Sequence, residues 1–273
     1  MKCTTRKPRP PKRLSADVNV GHGFAKRMVY GLLGVLVACG VWQLVSTRIG
    51  VSLVLPGPGE VAHAFVMLMW KLAFWEAVWG TFRRVLIAFV ISLALGFCTG
   101  MIAGLNAPFR DMIAPFVTII RATPVMALIL ILMFWFPAGH VPVVSAMLMA
   151  YPVVHTSLYQ GTIGTDKNLL EMAHIFKVPK PVVFFRLRLP AVRGHLASAA
   201  KNCLGLCWKV IVAGEVLSQP RFGLGTGLQS ARLSLDTAGV FAWAITSIAL
   251  CGISEFLLGL LARKLQEEEA INA

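Results

Sequence analysis

The chain has 273 residues, of which 57% are hydrophobic and only 14% are charged. An ordinary soluble domain carries about 25% charged residues, and here the charges lie between long apolar runs. A helix needs about 20 mostly apolar residues to cross a bilayer. The composition therefore excludes an ordinary soluble domain, and it predicts an all-α, polytopic membrane protein with about six transmembrane helices.

The net charge is +14, with 26 Lys and Arg residues. In a soluble protein this balance would suggest nucleic-acid binding, but basic residues that flank membrane spans serve to fix their orientation. No nucleic-acid partner is expected. Five of the six cysteines lie within apolar runs, which is typical of small packing residues, so we expect neither a disulfide framework nor a metal site.

The chain begins with residues 1–27, a basic and Pro-rich stretch that we expect to be a disordered cytoplasmic tail. Residues 28–264 are predicted to form one transmembrane domain, followed by an acidic C-terminal tail, residues 265–273. The predicted spans are 28–47, 76–105, 112–138, 143–164, 194–218 and 238–262. A basic insert, residues 166–190, separates the fourth span from the fifth.

Glycines recur at four-residue intervals in the second span, at Gly96, Gly100 and Gly104. They share one helix face, and small residues at this spacing allow close helix packing in lipid. We favour packing over the alternative that these glycines are incidental. Arg83 and Arg84, near the outer end of the same span, are expected to reach headgroups or to pair with protein.

Charged and polar residues inside the later spans form a candidate translocation path. An arginine at the centre of a span costs ~2.5 to 3.5 kcal/mol on insertion scales, so Arg121 must face protein or water; it either lines a pathway or belongs to a structural ion pair. His155 either lines a route or bonds a neighbouring helix. Lys209 and Glu215 are six residues apart and do not share a helix face, so each needs a partner elsewhere, or water.

The distribution of basic residues predicts the orientation of the chain. With both termini on the cytoplasmic side, that side holds 17 Lys and Arg residues and the outer side holds six. An excess of basic residues on the cytoplasmic side is the rule for membrane proteins. We therefore expect a multi-pass protein of the cytoplasmic (inner) membrane with the insert in the cytoplasm.

The insert reads as two short helices joined by a bend. Asp166 is a candidate N-cap, and apolar residues at helical spacing follow it. Val178-Pro179 is expected to stop the first helix, and Pro190 is expected to end the second. Phe176, Phe184 and Phe185 lie close together in this short segment, and an apolar cytoplasmic patch indicates a groove for a partner protein.

The insert resembles the EAA loop in the permease subunits of ATP-binding-cassette importers. Glu171, Met172 and Ala173 occupy the Glu-Ala-Ala positions, and Leu189-Pro190 falls at the expected distance. The resemblance extends from about Leu55 to Lys264, through LPGPGEV, FRRVL, IIRATPVMALI, WKVIVAGEVL and FGLGTGLQSAR. These segments are similar to the branch that imports nitrate, sulfonates, taurine, bicarbonate or vitamin precursors.

Two residues depart from the family pattern: Met172 stands for Ala, and Lys177 stands where the family has the Gly of the bend. A residue other than Gly at positive φ costs about 1 kcal/mol or more. The resemblance implies a type I importer permease fold and ATPase coupling through the following residues: Glu171, Ala173, Phe176, Lys177, Phe184 and Pro190.

The resemblance also implies the partners. These are two ATPase subunits that bind ATP and Mg, a second permease copy, most simply as a homodimer, and an extracytoplasmic solute-binding protein. The chain contains no phosphate-binding loop with Lys-Ser/Thr, so no enzymatic activity and no cofactor of its own are expected. The substrate implied is a small anion or organic solute. The alternative is a stand-alone channel or secondary transporter that uses Arg121, Lys209 and Glu215.

Overall fold

A computed structural model describes the backbone of residues 20–272 and the side chains of residues 29–31 and 33–262. The predicted tail, residues 1–27, lies mostly outside the described residues, as do the side chains of the acidic tail. Contacts divide the chain after Gly50. The first unit contains one described helix, α1 (Val20–Ile49), which includes the first predicted span.

The second unit is built from helices that short loops connect along its described length. Their order is α2 (Pro58–Met69), α3 (Leu72–Leu105), α4 (Ala107–Ala122), α5 (Val125–Leu132), α6 (Val141–Ile163), α7 (Lys167–Ile175), α8 (Lys180–Val183), α9 (Leu189–Ser218), α10 (Leu224–Leu233) and α11 (Thr237–Asn272). Within the described residues, five helices are long and apolar enough to cross a membrane, or six if the bent pair of α4 and α5 is one span. The prediction of an all-α protein with about six spans is confirmed.

The prediction that the third span is one continuous helix over residues 112–138 is wrong. Helices α4 and α5 meet at a bend of 98°. The cause is local: Pro124 cannot donate a backbone N–H, and its ring excludes the residue before it from the helical region. Thr123 accordingly adopts φ −72° and ψ 126°, an extended conformation, and α4 ends there.

Helices α3 and α6 pack against each other in parallel. Ser92 donates to the carbonyl of Met147, while Gly96 lies on Val154 and Gly104 on Thr162, so contacts advance along both helices together. If two long helices cross the membrane in the same direction, the chain that connects them must cross back. The bent pair α4 and α5 therefore crosses the membrane rather than re-entering on the same side.

Helix α9 runs in the opposite direction to α6. Pro142 contacts Gly214, whereas Gly161 contacts His195, so α6 and α9 are antiparallel. The segment that connects them, the 166–190 insert, thus lies on the same side as the C-terminal end of α3. A cavity lined by both Leu105 and insert residues confirms this side.

The core of this unit lies where α3, α6 and α9 meet, and it is built from small residues and a few large ones. Gly96, Gly100 and Gly104 touch α6 so closely that a Cβ at each position would come within 2.5–2.6 Å of an atom of Val154, His155 or Thr162. Small residues at this contact let the backbones approach and maximise dispersion contacts in lipid. The predicted glycine face of the second span is therefore the α3–α6 interface.

Candidate functional site

The insert begins with a capped helix and a left-handed bend. The Asp166 carboxylate accepts a hydrogen bond from the backbone N–H of Asn168 at 2.9 Å, a cap that contributes about 1 kcal/mol. Helix α7 ends where Val178 N donates to Ala173 O at 2.9 Å and Lys177 N to His174 O at 3.0 Å. These two bonds form a Schellman motif. Lys177 has φ +52°, so it adopts the conformation that the family's glycine would adopt.

The second half of the insert runs directly into the fifth span. Helix α8 continues through a π-helical turn at Phe184–Arg188 into α9, so Lys180–Ser218 forms one helical segment. The expectation that Pro190 ends the helix is wrong. Leu189 N donates to Phe184 O, five residues back; this wider turn makes room for a proline whose ring would crowd the carbonyl four residues before it. Pro190 thus lies inside a continuous rod.

The insert presents an apolar surface on its outer side. Ile175 and Phe176 are 73% and 74% exposed, and Phe185 is 64% exposed; Glu171 is also exposed. Isolated exposed apolar residues are common, but contiguous ones rimmed by polar residues mark interaction sites. The insert therefore has a candidate docking surface, which we name the insert face and define by its exposed apolar residues: Leu169, Met172, Ile175, Phe176, Val182 and Phe185.

Two predicted coupling residues, Ala173 and Phe184, are buried or half-buried and do not belong to the insert face. Ala173 is 8% exposed, and Phe184 is half-buried and packs against the main core. The Phe184 and Phe185 rings meet edge to face, 5.2 Å apart, so one ring lies inward and its neighbour outward. A groove of about 630 Å³ separates α7 from α8 and is bordered by Ala173, Phe184 and Leu105. Phe184 thus anchors the second half of the insert on the core.

Glu215 lies at the centre of a buried ion-pair cluster. Its side chain is fully buried, and Arg84 Nη1 donates to its Oε1 at 2.7 Å. Thr81 Oγ1 lies 2.9 Å from both carboxylate oxygens, and Gly225 N donates to Oε2 at 3.0 Å. Arg84 also donates to the carbonyl of Phe222 at 2.6 Å. The cluster joins α3, α9 and the start of α10, and we name it the Glu215 cluster.

The other candidate path residues are distributed over separate places. His155 is buried on α6, with its Nδ1 3.0 Å from Thr99 Oγ1. Arg121 is exposed in the last turn of α4, and Lys209 is exposed on α9. The structure therefore does not gather the four residues into one site. The sequence predicted that Arg84 reaches headgroups or pairs with protein, and that Glu215 needs a partner elsewhere or water. It did not pair the two residues, because 131 residues separate them.

Comparisons with known proteins agree on one class. Residues 96–267 match the family described as "Binding-protein-dependent transport system inner membrane component". A probable ABC transporter permease protein of Brucella melitensis biotype 1 is 29% identical over 225 residues, which are 81% of this chain and 89% of the relative. The taurine transport system permease protein of Escherichia coli strain K12 is 27% identical over 243 residues, 86% of each chain.

A solved structure supports the fold. An inward-facing conformation of the MetNI methionine ABC transporter contains a chain that aligns with a TM-score of 0.61 at 15% identity, over 70% of this chain and 95% of that one. At this identity the likeness concerns the fold, and the type I importer permease fold predicted from the sequence is confirmed.

Proposed function

The chain belongs to the family of inner membrane components of binding-protein-dependent transport systems, and from this premise we propose how it works. It is the permease subunit of an ATP-binding-cassette importer. Two permease copies form the translocation path, two ATPase subunits bind ATP and Mg, and a solute-binding protein delivers the solute from outside. Both termini and the insert lie in the cytoplasm.

The observation that carries this proposal is the continuity of the insert with the fifth span. The second half of the insert and α9 form one helical segment, Lys180–Ser218. A displacement of the insert therefore tilts or shifts a span directly, with no flexible joint between them. Closure of the ATPases on binding ATP would move the insert face and switch the path between its inward and outward openings.

Each coupling residue has a distinct task in this proposal. Phe176 enters an apolar groove of the ATPase, and Glu171 pairs with a donor at its rim. Ala173, which is buried, and Phe184, which packs against the core, transmit the movement inward. Lys177 maintains the bend between the two halves, and Pro190 maintains the π turn.

The proposed coupling is tested with Glu171→Ala and Phe176→Ala. Both variants should fold and insert normally, because both side chains are exposed, yet their association with the ATPase should weaken and solute uptake should fall at least about tenfold, the loss expected when an interface anchor worth ~1.4 kcal/mol or more is removed. Uptake into vesicles that contain ATP measures the effect, and co-purification of the ATPase reports assembly.

Matched controls lie elsewhere on the chain. Phe256 on α11 is 66% exposed, and Glu76 is exposed near the start of α3, so Phe256→Ala and Glu76→Ala remove the same side chains away from the insert. Uptake should persist in both controls. Normal uptake in both insert variants would refute the coupling role, and uptake by the purified chain alone, driven by protons or sodium, would favour a stand-alone transporter.

The relatives suggest the solute. Among them are permease proteins named for taurine transport and, as putative members, for aliphatic sulfonates. We therefore propose a small organic solute with an acidic group such as a sulfonate, with Arg121, His155, Lys209 and Glu215 as the first candidates for the path. Lys209 is the best placed of the four, since it is exposed and lines two cavities beside its helix, whereas Glu215 is enclosed by its partners.

A further inference from the structure

A groove with mixed charge lies between α9 and α11. Lys201, Gly205 and Lys209 follow at four-residue spacing and share one face of α9. Across from them, Oε1 of Glu255 occupies the space that a Cβ at Gly205 would take. Lys209 and Glu255 both line two cavities, of about 520 and 320 Å³. We call the two cavities together the α9–α11 groove.

Within the described part of the chain, the polar groups of this groove have few hydrogen-bond or ion-pair partners. Lys201 and Lys209 are exposed and form no ion pair with a described residue. Glu255 accepts a weak S–H bond from Cys251, with Sγ 3.7 Å from Oε1. Trp208, which lines the larger cavity, is 2% exposed, and its indole N–H has no described acceptor. The amines of Lys201 and Lys209 and the carboxylate of Glu255 are thus available to a ligand.

The hydrocarbon chains of lipid are unfavourable next to the charged groups of this groove. Lys209 lies about 30 Å from Leu189 and about 14 Å from Ser218 along the helix axis, at 1.5 Å per residue. A charge at such depth is strongly disfavoured against hydrocarbon. Water or a polar solute removes this cost, whereas a lipid headgroup lies too near the membrane surface to do so.

We propose that the α9–α11 groove holds the transported solute within the membrane and that it suits a small zwitterion. The acidic group of the solute pairs with Lys209, and its amine pairs with Glu255. A purely anionic solute of the same size would lie against an unpaired carboxylate, which is unfavourable in a site of low polarity. Lys201, about 12 Å farther along the helix, offers a second position for the acidic group. This inference rests on the proposed function and names its substrate class.

The first test asks whether the groove is filled with water. Ser247 lines the larger cavity, whereas Leu257, on the same helix and 59% exposed, does not line it. In the complex with its ATPase and binding protein, reconstituted in nanodiscs, an impermeant anionic methanethiosulfonate reagent should label the thiol from Ser247→Cys at least about tenfold faster than that from Leu257→Cys, since hydrocarbon excludes the charged reagent. Labelling at each site is followed by peptide mass spectrometry, with the wild-type cysteines as background. Equal rates would overturn the proposal.

The second test uses two probes that differ in one group. Taurine carries an ammonium group where 1-propanesulfonate carries a methyl group. Taurine should slow the labelling of Ser247→Cys about threefold, a size typical of an ion pair that is partly exposed to water, and 1-propanesulfonate should not. Glu255→Gln should abolish the difference.

Equal protection by both probes, no protection by either, or a difference that survives Glu255→Gln would each overturn the zwitterion site. The same samples report on the importer itself, since stimulation of ATP hydrolysis by the binding protein does not depend on these side chains in our proposal. If the binding protein stimulates ATP hydrolysis but taurine gives no selective protection, the proposed zwitterion site is refuted and the proposed importer function is not. A complex that recruits no ATPase refutes the proposed function.

Discussion

Helix α9 carries charge at two places that differ in burial and in the partners of the charged group. In the Glu215 cluster the carboxylate is fully buried and has three partners, Arg84, Thr81 and the backbone of Gly225. Six residues earlier, Lys209 is exposed, and it borders the α9–α11 groove together with Glu255. The first place satisfies its charge inside the protein, while the second leaves it available to something else.

The difference shows that a charged residue inside a span has no single interpretation. Both Glu215 and Lys209 were candidates for the path, since an intramembrane charge is a functional candidate by default. The partners distinguish them: a buried pair whose hydrogen bonds are satisfied holds elements together, and removing one member leaves the other uncompensated. Lys209 has no ion pair with a described residue and lines a cavity, so we favour a role in binding.

The largest effect is expected from Glu215→Ala. It leaves the Arg84 guanidinium, whose side chain is 11% exposed, without its counter-charge, and breaking a buried pair costs about 3–5 kcal/mol. We expect a loss of folded protein and a large drop in Tm, measured by thermal unfolding with size-exclusion chromatography. Glu255→Ala is the control, because its carboxylate has no described ion pair; a similar drop in both variants would remove the distinction between the two places.

A smaller effect is expected from Gly225→Ala. A Cβ there would overlap the carbonyl of Val212 and lie 2.6 Å from Glu215 Cβ, and such overpacking typically costs about 1–3 kcal/mol. In the groove, Gly252→Ala adds the same methyl group where nothing lies within 4 Å, and Ala favours a helix over Gly. The Tm should fall for Gly225→Ala and stay the same or rise for Gly252→Ala. If Tm fell for Gly252→Ala and not for Gly225→Ala, the Glu215 cluster would be less tightly packed than the groove.

The smallest effect is expected at the bend of the insert, which lies outside both places. Lys177→Gly removes a side chain from a residue at φ +52°, so it should relieve about 1 kcal/mol of backbone strain and raise Tm slightly. Leu235→Gly is a matched control, because Leu235 has φ +56° at the end of α10. Both variants should gain stability, and uptake should persist in Lys177→Gly. A loss of stability in Lys177→Gly would mean that the side chain contributes more than the strain costs.

Much of the fold could be predicted from residues close in sequence. The apolar runs predict the spans, and the Asp166 cap and the break after α7 follow from local hydrogen bonding and from Val178-Pro179. The glycines at four-residue spacing predict a close helix contact, although not the identity of the partner helix. Two local signals were misjudged: Thr123-Pro124 breaks the third span, and Pro190 does not end a helix, because a π turn absorbs it.

The sequence by itself determined the class of the protein, its spans and the insert, because hydropathy, prolines and caps act over a few residues. Only the tertiary structure decided which charges are satisfied. Arg84 and Glu215 lie 131 residues apart, and Gly205, Lys209 and Glu255 meet only because α9 packs against α11. Whether an intramembrane charge is structural or available to a solute depends on such distant neighbours, and no pattern along the chain reports them.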